Sequence, residues 1–361
     1  MLKLLILTRY ERSGASSRMR FYQYLPGLEA AGFEVTISPL FSDDYVAELQ
    51  KGRKSFSKAF FAYPKRLKVL LKAQRFDIVW IEKEALPWIP AMVEQFLLPN
   101  NVPYILDYDD AVFHYYDLHK NLAVRKFLGT KHQSLIKGAS LILAGNQYLA
   151  NFAKSAGAKA VEIIPTVIDL ERYPKNLLKD NPIDSTRVPC IGWIGQRSTA
   201  YFLSPYKDLF QRLGSSGIAR FAAIGIDTLS LDLPMESVVW SEQTEVTSIA
   251  KFDVGIMPLV DQPFERGKCG YKLIQYMACG LPVIASPVGV NCQIVEHGVD
   301  GFLAENLEQW ENSFLKLAKS EELRKQMGRK GREKIEQYYS IQVTGPKLAR
   351  LLQKVAKKEN F

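Results

Sequence analysis

The chain contains little cysteine and little histidine. Four residues of each type occur among its 361 residues. Cys190, Cys269, Cys279 and Cys292 form no Cys-x-x-Cys pair, and no histidine stands at a metal-ligand spacing. This pattern favours free thiols in a reducing cytoplasm over a disulfide framework or a zinc site.

Long apolar runs and the common nucleotide-binding motifs are also absent. No run reaches the length of a membrane span, and the opening stretch MLKLLILTRYERS becomes charged too early for a signal peptide, so it predicts a buried strand. The sequence has no P-loop spacing and no Gly-x-Gly-x-x-Gly before a helix. It has no short-period repeat, which excludes solenoids and propellers. We therefore expect a cytoplasmic protein.

Length and composition indicate two globular domains. A chain of 361 residues with 47 % hydrophobic and 24 % charged residues suits two domains of roughly 150 to 200 residues each. The net charge is +9, but no aromatic-and-basic RNA motif and no recognition-helix signature accompanies it. We therefore predict no nucleic-acid partner.

The order of apolar runs indicates two parallel sheets. Short apolar runs separated by helix-like stretches fill residues 1–170, and the same alternation restarts at CIGWIG near residue 190. Strands that are apolar throughout, with helices between them, imply a parallel sheet covered on both faces. A proline-containing stretch without periodicity joins the two halves. The sequence predicts α/β domains at 1–170 and 188–338 and a terminal helix at 339–361.

The run FERGKCGYKLIQYMACGLPVIASPVG, residues 264–289, carries the most chemical information. It follows a predicted strand, begins a helix at about Gly270, ends that helix at Gly280 and enters a second strand, which makes one βαβ unit. Arg266 and Lys268 precede the helix N-terminus, where unpaired N–H groups and the helix dipole favour an anion. The run therefore predicts a site for a phosphate-bearing ligand.

The end of this run resembles the donor-sugar motif of glycosyltransferase family 4, whose members have the retaining GT-B fold. The matching positions are Met277, Ala278, Gly280, Pro282, Val283 and Ala285. The family has two glutamates in this motif. Gly267 and Gln275 stand in their places here, with Glu265 displaced by two residues. The Arg-Gly-Lys-Cys form is similar to that of a bacterial branch of the family.

The resemblance implies an α/β GT-B architecture: two Rossmann-like doubly wound domains, an interdomain cleft, and a C-terminal helix that returns to the N-terminal domain. It implies retaining transfer of a sugar from a nucleotide-diphosphate sugar to a hydroxyl of a glycan or lipid-linked acceptor, in bacterial surface polysaccharide synthesis. No metal and no cofactor besides the nucleotide-sugar co-substrate is implied. Three alternatives stay open: a nucleotide-sugar epimerase, a non-catalytic sugar-nucleotide-binding protein and a peripheral membrane scaffold.

The loop SGASSR follows the first predicted strand, where Rossmann-type sheets bind ligands. Gly14 lets the backbone approach a diphosphate, and Arg18 and Arg20 can add positive charge. The resemblance places Gly14 near the donor phosphates. The alternative is an ordinary strand-to-helix turn with Ser16 or Ser17 as the N-cap.

The stretch ILDYDDAVFH places acidic residues after another predicted strand. Asp107 and Asp109 would share one face of an extended backbone, and Asp110 and His114 follow them. A metal-binding Asp-x-Asp pair is one interpretation, and N-capping of a helix by Asp109 or Asp110 is another. We favour catalytic or acceptor-binding roles for Asp109, Asp110 and His114, because active-site residues concentrate in such loops. The resemblance makes His114 the candidate for a histidine near the donor sugar.

The stretch IGWIGQRSTAYF predicts a donor-binding loop in the second half. Gly195 ends a predicted strand, Ser198 or Thr199 can cap the next helix, and Arg197 can clamp a diphosphate with its forked guanidinium. Many family members carry a Lys-Gly pair here that this chain lacks. Lys268 is the candidate to supply the missing cation.

Within the 264–289 run, the predicted donor-binding residues are Glu265, Lys268, Gly270, Tyr271 and Gln275. Cations and a helix dipole can stabilise a departing diphosphate without metal. Gln275 can hydrogen-bond the ribose as a neutral, weaker acceptor than the usual glutamate. The alternative for Gln275 is a partly exposed polar residue of the helix.

Residues 51–75 contain nine Lys or Arg and no acid. Leu67, Leu70 and Leu71 recur at helical spacing between the cations, which is typical of a basic amphipathic helix. Two interpretations stay open. The helix either docks on an anionic membrane surface, at the inner face of the cell membrane, or directs its apolar stripe at its own domain.

Overall fold

The computed structural model describes residues 1–50, 56–175 and 187–359. The chain divides into two units by its internal contacts. Unit 1 comprises residues 1–166, 263–269 and 341–361, and unit 2 comprises residues 167–262 and 270–340. Each unit is an α/β layer structure around one sheet. None of the described helices has the length and apolar character needed to cross a bilayer.

Each unit contains one sheet, with six strands among the described residues, and every neighbouring pair is parallel. The strands of unit 1 are β1 (Leu2–Tyr10), β2 (Phe33–Phe41), β3 (Ile78–Glu82), β4 (Tyr104–Tyr108), β5 (Leu141–Ala144) and β6 (Val161–Ile163), in the order β2-β1-β3-β4-β5-β6. Those of unit 2 are β7 (Cys190–Ile194), β8 (Arg220–Ile224), β9 (Glu236–Val238), β10 (Val254–Met257), β11 (Val283–Ala285) and β12 (Gly301–Leu303), in the order β12-β11-β10-β7-β8-β9.

Helices connect the strands and cover the sheets. The α-helices are α1 (Ala15–Arg20), α2 (Leu25–Ala30), α3 (Asp43–Gln50), α4 (Phe56–Leu70), α5 (Ala91–Leu97), α6 (His114–Asp117), α7 (Leu122–Leu128), α8 (Lys131–Gly138), α9 (Gln147–Ser155), α10 (Lys207–Ser215), α11 (Glu245–Ile249), α12 (Pro263–Arg266), α13 (Tyr271–Ala278), α14 (Asn291–Ile294), α15 (Leu307–Lys319), α16 (Glu321–Tyr338) and α17 (Ile341–Ala356). Short 3-10 helices occupy Tyr22–Tyr24, Ala73–Arg75, Leu170–Arg172, Arg197–Tyr206 and Leu229–Leu231.

The burial of the strands agrees with their parallel pairing. Strands β3, β4, β5 and β7 are buried along their whole length, as strands covered by helices on both faces must be. The predicted fold class of two Rossmann-like, doubly wound sheets is confirmed. The predicted βαβ unit is also confirmed, because β10 and β11 pair in parallel with α13 between them.

Helix α17 packs within unit 1, although it follows unit 2 in the chain. The hydroxyl groups of Tyr24 and Thr344 are 2.8 Å apart, and Gln353 Nε2 donates to the carbonyl of Ala31 at 3.0 Å. Leu352 on the same helix is fully buried. Residues 263–269 likewise group with unit 1.

In each unit the direction of strand addition reverses once. Strand β1 lies between β2 and β3, and β7 lies between β8 and β10. Doubly wound sheets bind ligands at the carboxyl ends of the strands beside such a switch point. The loops after β1 and β3 in unit 1, and after β7 and β10 in unit 2, are therefore the expected ligand-binding edges.

Helix α13 packs closely against α16 through glycines. A Cβ added to Gly328 would lie 1.9 Å from the carbonyl oxygen of Gly280, and one added to Gly331 would lie 3.2 Å from Met277. The backbone at Gly328 therefore has no room for a side chain.

We expect Gly328→Ala to lower the free energy of unfolding by about 1–3 kcal/mol, because the two backbones must move apart. Gly27→Ala is the matched control. Gly27 lies in α2 with open space around it, so alanine should be neutral or stabilise by up to about 1 kcal/mol. Urea unfolding of both variants measures the difference, and a Gly328→Ala variant as stable as the parent would contradict the packing argument.

Candidate functional site

At the switch point of unit 1, four side chains form one buried polar cluster. Lys83 Nζ lies 2.7 Å from Asp109 Oδ1 and 2.9 Å from Ser16 Oγ. Ser16 Oγ lies 2.9 Å from Glu82 Oε1 and 2.5 Å from Asp109 Oδ2. These residues come from the first turn of α1 and from the ends of β3 and β4. The cluster therefore connects the start of α1 to two strand ends.

The second carboxylate oxygen of Glu82 contacts both elements that flank the loop after β1. It accepts hydrogen bonds from the backbone N–H of Arg9 at 2.7 Å and from Ser17 Oγ at 2.6 Å. Ser17 Oγ in turn accepts from the backbone N–H of Tyr10 at 3.1 Å. Glu82 thus fixes the end of β1 and a side chain of α1, on either side of this loop.

Gly14 is the N-cap of α1, and no side chain makes a capping hydrogen bond there. The interpretation of Ser16 or Ser17 as the N-cap is therefore wrong. A Cβ added to Gly14 would lie 2.4 Å from Cβ of Tyr10. Glycine is required by this close approach, and the predicted contact of Gly14 with a diphosphate stays a prediction.

Electrostatics fix the charge state of the cluster. Burial opposes the ammonium form of Lys83, but Asp109 and Glu82 raise the pKa of Lys83 above its usual range. Burial likewise disfavours the carboxylate of Asp109. However, the charge of Lys83 and the hydrogen bonds from Lys83 and Ser16 hold the pKa of Asp109 below its usual range. Both groups are therefore ionised at neutral pH.

Lys83 also has an unusual backbone conformation. Its φ is 63°, in a region that residues other than glycine rarely adopt and that is often found at functional sites. Sequence reasoning missed Glu82, Lys83 and Glu84. The available signal was three consecutive charged residues directly after the apolar run IVWI.

Asp107 belongs to a separate buried ion pair. Arg20 Nε lies 2.8 Å from Asp107 Oδ1, and Arg20 Nη2 lies 3.0 Å from Oδ2. Burial raises the pKa of Asp107 to about 6 even though Arg20 favours the carboxylate. The prediction that Arg20 supplies accessible charge for a phosphate is wrong, because its side chain is buried and bound to Asp107.

The aspartates of the acidic stretch do not cap the helix that follows them. Helix α6 takes Phe113 as its N-cap, so N-capping by Asp109 or Asp110 is wrong. Asp107 and Asp109 pair with different cations. Throughout the described residues, no three His, Cys, Asp or Glu side chains are grouped as the ligands of a metal ion would be.

The loop that carries Lys268 packs on the same edge of unit 1. Asn146 Nδ2 donates to the carbonyls of Gly267 and Lys268 at 2.8 and 3.0 Å, and Cys269 Sγ donates to the carbonyl of Asp109 at 3.0 Å. Burial raises the pKa of the Cys269 thiol, which keeps it protonated as a donor. The loop is therefore anchored through its backbone and one thiol.

Lys268 and Asp110 lie near each other on this edge. Lys268 Nζ is 3.9 Å from Asp110 Oδ1 and 4.9 Å from the ring centroid of Phe264. Glu265, on α12 just before this loop, is buried. The structure thus places a predicted donor-binding cation beside a predicted catalytic acid.

His114 uses both ring nitrogens within unit 1. Nδ1 lies 2.9 Å from Asp117 Oδ1, and Nε2 lies 2.9 Å from the hydroxyl of Tyr148. These partners fix the ring orientation. A role of His114 toward a sugar stays a prediction.

At the switch point of unit 2, two glycines allow a close approach of strand ends. A Cβ added to Gly225 would lie 2.5 Å from the carbonyl oxygen of Gly195, and one added to Gly195 would lie 2.3 Å from the ring of Trp193 and 3.1 Å from Cε of Lys272. Lys272 Nζ lies 4.8 Å from a ring centroid of Trp193, within cation–π distance. The Gly195 loop and a cation from the first turn of α13 therefore meet here, and sequence reasoning had left Lys272 without a role.

The donor-loop residues after Gly195 lie on a 3-10 helix with Gln196 as its N-cap and no side-chain capping bond. Thr199 Oγ1 instead donates to the carbonyl of Gln196 at 3.0 Å. The prediction that Ser198 or Thr199 caps this helix is therefore wrong. Arg197 Nη1 lies 3.1 Å from Ser230 Oγ at an exposed position.

Helix α13 begins as predicted, with Gly270 as its N-cap at a φ of 64°. A Cβ there would lie 2.3 Å from Ile294, so both conformation and space favour glycine. Tyr271 is half-buried. Gln275 is buried, with Nε2 3.3 Å from the hydroxyl of Tyr173. The interpretation of Gln275 as a partly exposed residue is wrong, and its predicted ribose contact stays a prediction.

The predicted site residues divide between the two units. Those in unit 1 are Gly14, Asp109, Asp110, His114, Glu265 and Lys268. Those in unit 2 are Gly195, Arg197, Ser198, Thr199, Gly270, Tyr271 and Gln275. Their convergence on one ligand stays a prediction.

A second ionic network lies deeper in unit 1. Lys131 Nζ is 2.7 Å from both Glu84 Oε2 and Glu94 Oε1. His132 Nδ1 is 2.9 Å from the hydroxyl of Tyr108. Burial lowers the pKa of His132 to about 4, although Glu84 acts in the opposite direction.

Part of the second half of the chain matches a family of known proteins. Residues 232–320 match the family described as Glycosyl transferases group 1. N-acetyl-alpha-D-glucosaminyl L-malate synthase of Bacillus anthracis is 34 % identical over 82 residues. That alignment covers 22 % of this chain and only 22 % of the length of the curated relative.

Solved structures are similar over nearly the whole chain. HepE of Anabaena, in complex with UDP and glucose, has a TM-score of 0.68 at 16 % identity and covers 98 % of this chain and 100 % of its own. Sucrose-phosphate synthase from Thermosynechococcus elongatus has a TM-score of 0.73 at 15 % identity, with coverages of 99 % and 100 %. These similarities confirm the predicted GT-B fold.

Buried, neutral His132 predicts acid sensitivity of folding. Its pKa is about 4 in the folded chain against an ordinary value of 6.5, so the unfolded chain takes up the proton first as the pH falls. Its contribution to stability is therefore complete above about pH 6.5 and decreases toward pH 4. From pH 7 to pH 5 we expect a loss of about 2 kcal/mol from this residue.

Urea unfolding of the parent, His132→Gln and His297→Gln at both pH values tests this prediction. His297 is exposed and serves as the control. The decrease between pH 7 and pH 5 should be smaller for His132→Gln alone. An equal decrease in all three proteins would refute the assignment.

Proposed function

We propose that this chain is a glycosyltransferase that moves a sugar from a nucleotide-diphosphate sugar to a hydroxyl group. The observation that carries the proposal is the glycosyltransferase group 1 match at residues 232–320. That range contains the βαβ unit of β10, α13 and β11. The chemistry of this unit is suited to a diphosphate, because α13 begins at Gly270 and carries Lys272 in its first turn.

The proposed donor site is the switch point of unit 2. Gly195 has no side chain of its own, and Lys272 and the ring of Trp193 lie beside it. The hydrogen-bond partner of the Arg197 guanidinium is an exposed, neutral serine hydroxyl. Exchanging this hydrogen bond for one to a diphosphate therefore costs little free energy. We assign neutralisation of the diphosphate to these cations and to the amides of α13, without a metal ion.

The proposed acceptor site is the polar edge of unit 1. Asp110 is partly exposed and can accept a hydrogen bond from an acceptor hydroxyl. Asp109 is held by Lys83, so we assign it a positioning role toward Asp110 and the loop of Lys268. His114 is proposed to act at the same edge, in the orientation fixed by Asp117 and Tyr148.

The proposed reaction follows the retaining course that the family resemblance implies. The bond between the anomeric carbon and the donor phosphate oxygen breaks, and the nucleoside diphosphate leaves with the bonding electrons. The acceptor oxygen forms the new bond to the anomeric carbon on the same face. The departing phosphate oxygen takes the acceptor's proton, so no protein nucleophile is required.

A non-catalytic sugar-nucleotide-binding protein is the second candidate function. Gly267 and Gln275 occupy the positions of the two motif glutamates, and Gln275 is bonded to Tyr173 in the interior of unit 2. This candidate predicts nucleotide binding without turnover. An epimerase on the same scaffold would instead release a free sugar-nucleotide epimer.

The proposed acceptor is a growing glycan or a lipid-linked sugar in bacterial surface polysaccharide synthesis. The proposal includes an anionic membrane surface as a partner of residues 51–75, at the inner face of the cell membrane. Residues 51–55 of that segment lie outside the described residues.

Nucleotide binding to unit 2 can be measured by thermal shift with UDP, GDP and ADP. UDP is the first choice, because HepE was solved with UDP. A nucleotide at a hundred times its dissociation constant should add about 2.7 kcal/mol to stability. Lys272→Ala and Arg197→Ala should each weaken binding roughly tenfold or more, because each removes a charge-assisted contact.

Lys126→Ala, at an exposed position on α7, is the matched charge control and should bind as the parent does. Lys268→Ala tests separately whether the loop in unit 1 contributes. If Lys272→Ala and Arg197→Ala retain the parent's affinity, the phosphate assignment is wrong.

Product analysis with a labelled sugar nucleotide distinguishes the candidate functions. A new glycoside supports the transferase, a free epimer supports the epimerase, and binding without product supports the non-catalytic protein. Turnover that survives a chelator agrees with the metal-independent assignment, whereas its loss contradicts it.

A further inference from the structure

Helix α4 buries a cation and exposes aromatic side chains. Arg66 is buried and donates to the carbonyls of Thr8 at 2.6 Å and Ser38 at 2.9 Å. Phe60 and Phe61 are each 73 % exposed. A surface helix of a globular protein normally has its ionic side chains outward and its apolar ones inward.

Helix α5 likewise buries an ionic group and exposes apolar side chains. Glu94 is buried and lies 2.7 Å from Lys131. Met92 and Phe96, four residues apart and therefore on one face, are 76 % and 88 % exposed. Two helices of unit 1 thus bury ionic groups and direct large apolar side chains at the solvent.

These side chains are part of a concentration of exposed apolar residues. Of 21 exposed large apolar side chains among the described residues, eleven lie in the short stretch from Phe60 to Phe127. They are Phe60, Phe61, Leu71, Trp88, Met92, Val93, Phe96, Tyr115, Leu118, Leu122 and Phe127. We refer to this set as the α4–α7 surface.

Direct contacts connect the elements that carry this surface. The hydroxyl of Tyr63 on α4 donates to the carbonyl of Pro87 at 2.8 Å. The ring of the next residue, Trp88, lies 5.1 Å from that of Tyr116 and 5.9 Å from that of His119. Helix α5 begins just after Trp88, and α7 begins just after His119. The exposed residues therefore belong to neighbouring elements of one unit.

The exposed charge in the stretch that carries the α4–α7 surface is mostly positive. Within residues 60–131, seven cations are exposed and only one acid, Asp77, is exposed. The exposed cations are Lys65, Lys68, Lys72, Arg75, Lys120, Arg125 and Lys126. The other acids of this stretch are buried or half-buried.

We propose that the α4–α7 surface docks on an anionic lipid bilayer, with its apolar side chains in the interfacial layer and its cations at the headgroups. Exposed apolar side chains mixed with lysine and arginine are the composition that interfacial membrane binding uses. An anionic bilayer satisfies both properties at once, because it offers negative charge outside and apolar chains beneath. The docking surface is thus wider than the basic segment 51–75 and includes Trp88, α5 and α7.

Vesicle co-sedimentation of the full chain tests this proposal without any donor, so its result is independent of the proposed transferase function. The vesicles are phosphatidylcholine with or without phosphatidylglycerol, at low and high salt. We expect binding only to the anionic vesicles, and weaker binding at high salt because the charges are screened. The double variant Met92→Ser/Phe96→Ser should bind at least roughly tenfold more weakly.

Leu229→Ser/Val239→Ser is the matched control, because both residues lie in unit 2 and each is 88 % exposed. It should bind vesicles as the parent does. Since all four side chains are exposed, circular dichroism should show parent-like folding of both double variants.

The proposal is overturned if the parent does not sediment with anionic vesicles at low salt, or if Met92→Ser/Phe96→Ser binds as well as the parent. It is also overturned if the unit 2 control loses as much binding. Self-association of the parent that the double variant abolishes, without vesicle binding, would instead assign this surface to a second copy of the chain.

Discussion

The buried ion pair of Lys83 and Asp109 is the interaction on which the polar edge of unit 1 depends. Two charges 2.7 Å apart in the interior are tolerated only as a pair, because removing one leaves the other buried and uncompensated. Through Ser16 the pair reaches Glu82 and the first turn of α1. Through the carbonyl of Asp109 it reaches Cys269. One electrostatic constraint therefore connects the start of α1, the ends of β3 and β4 and the segment of Cys269.

The two units arrange the groups at their expected ligand-binding edges in different ways. In unit 1, carboxylates are fixed by cations of the same edge, so few of the local charges are available for a ligand. In unit 2, glycines bring the backbone close, as at Gly195 and Gly225, and Lys272 stands in the first turn of a helix that begins at Gly270. A helix N-terminus with a cation beside it favours a diphosphate. This contrast supports the assignment of the donor to unit 2 and the acceptor to unit 1.

The parts of the fold that local pattern determines could be predicted from the sequence. The apolar strands and the helix start at Gly270 follow from periodicity and glycine placement, which act over a few residues. The ion pairs could not be predicted. Arg20 and Asp107 are 87 residues apart, and a carboxylate after a strand has the same local pattern whether it meets a ligand or a buried arginine. For the same reason Ser16 and Ser17, which resemble N-caps in sequence, bond to Glu82 instead.

The orientation of α4 shows a further limit of periodicity. A pattern of leucines between lysines identifies an amphipathic helix. Which of its side chains are buried depends on the groups of the sheet that they contact. Arg66 donates hydrogen bonds to backbone carbonyls, so its burial is tolerated. Leu70 is buried, whereas the next residue, Leu71, is exposed. The aromatic residues near the start of the described surface are then left in water. Covering them would gain free energy from the hydrophobic effect, and the excess of lysine and arginine beside them selects a negatively charged partner.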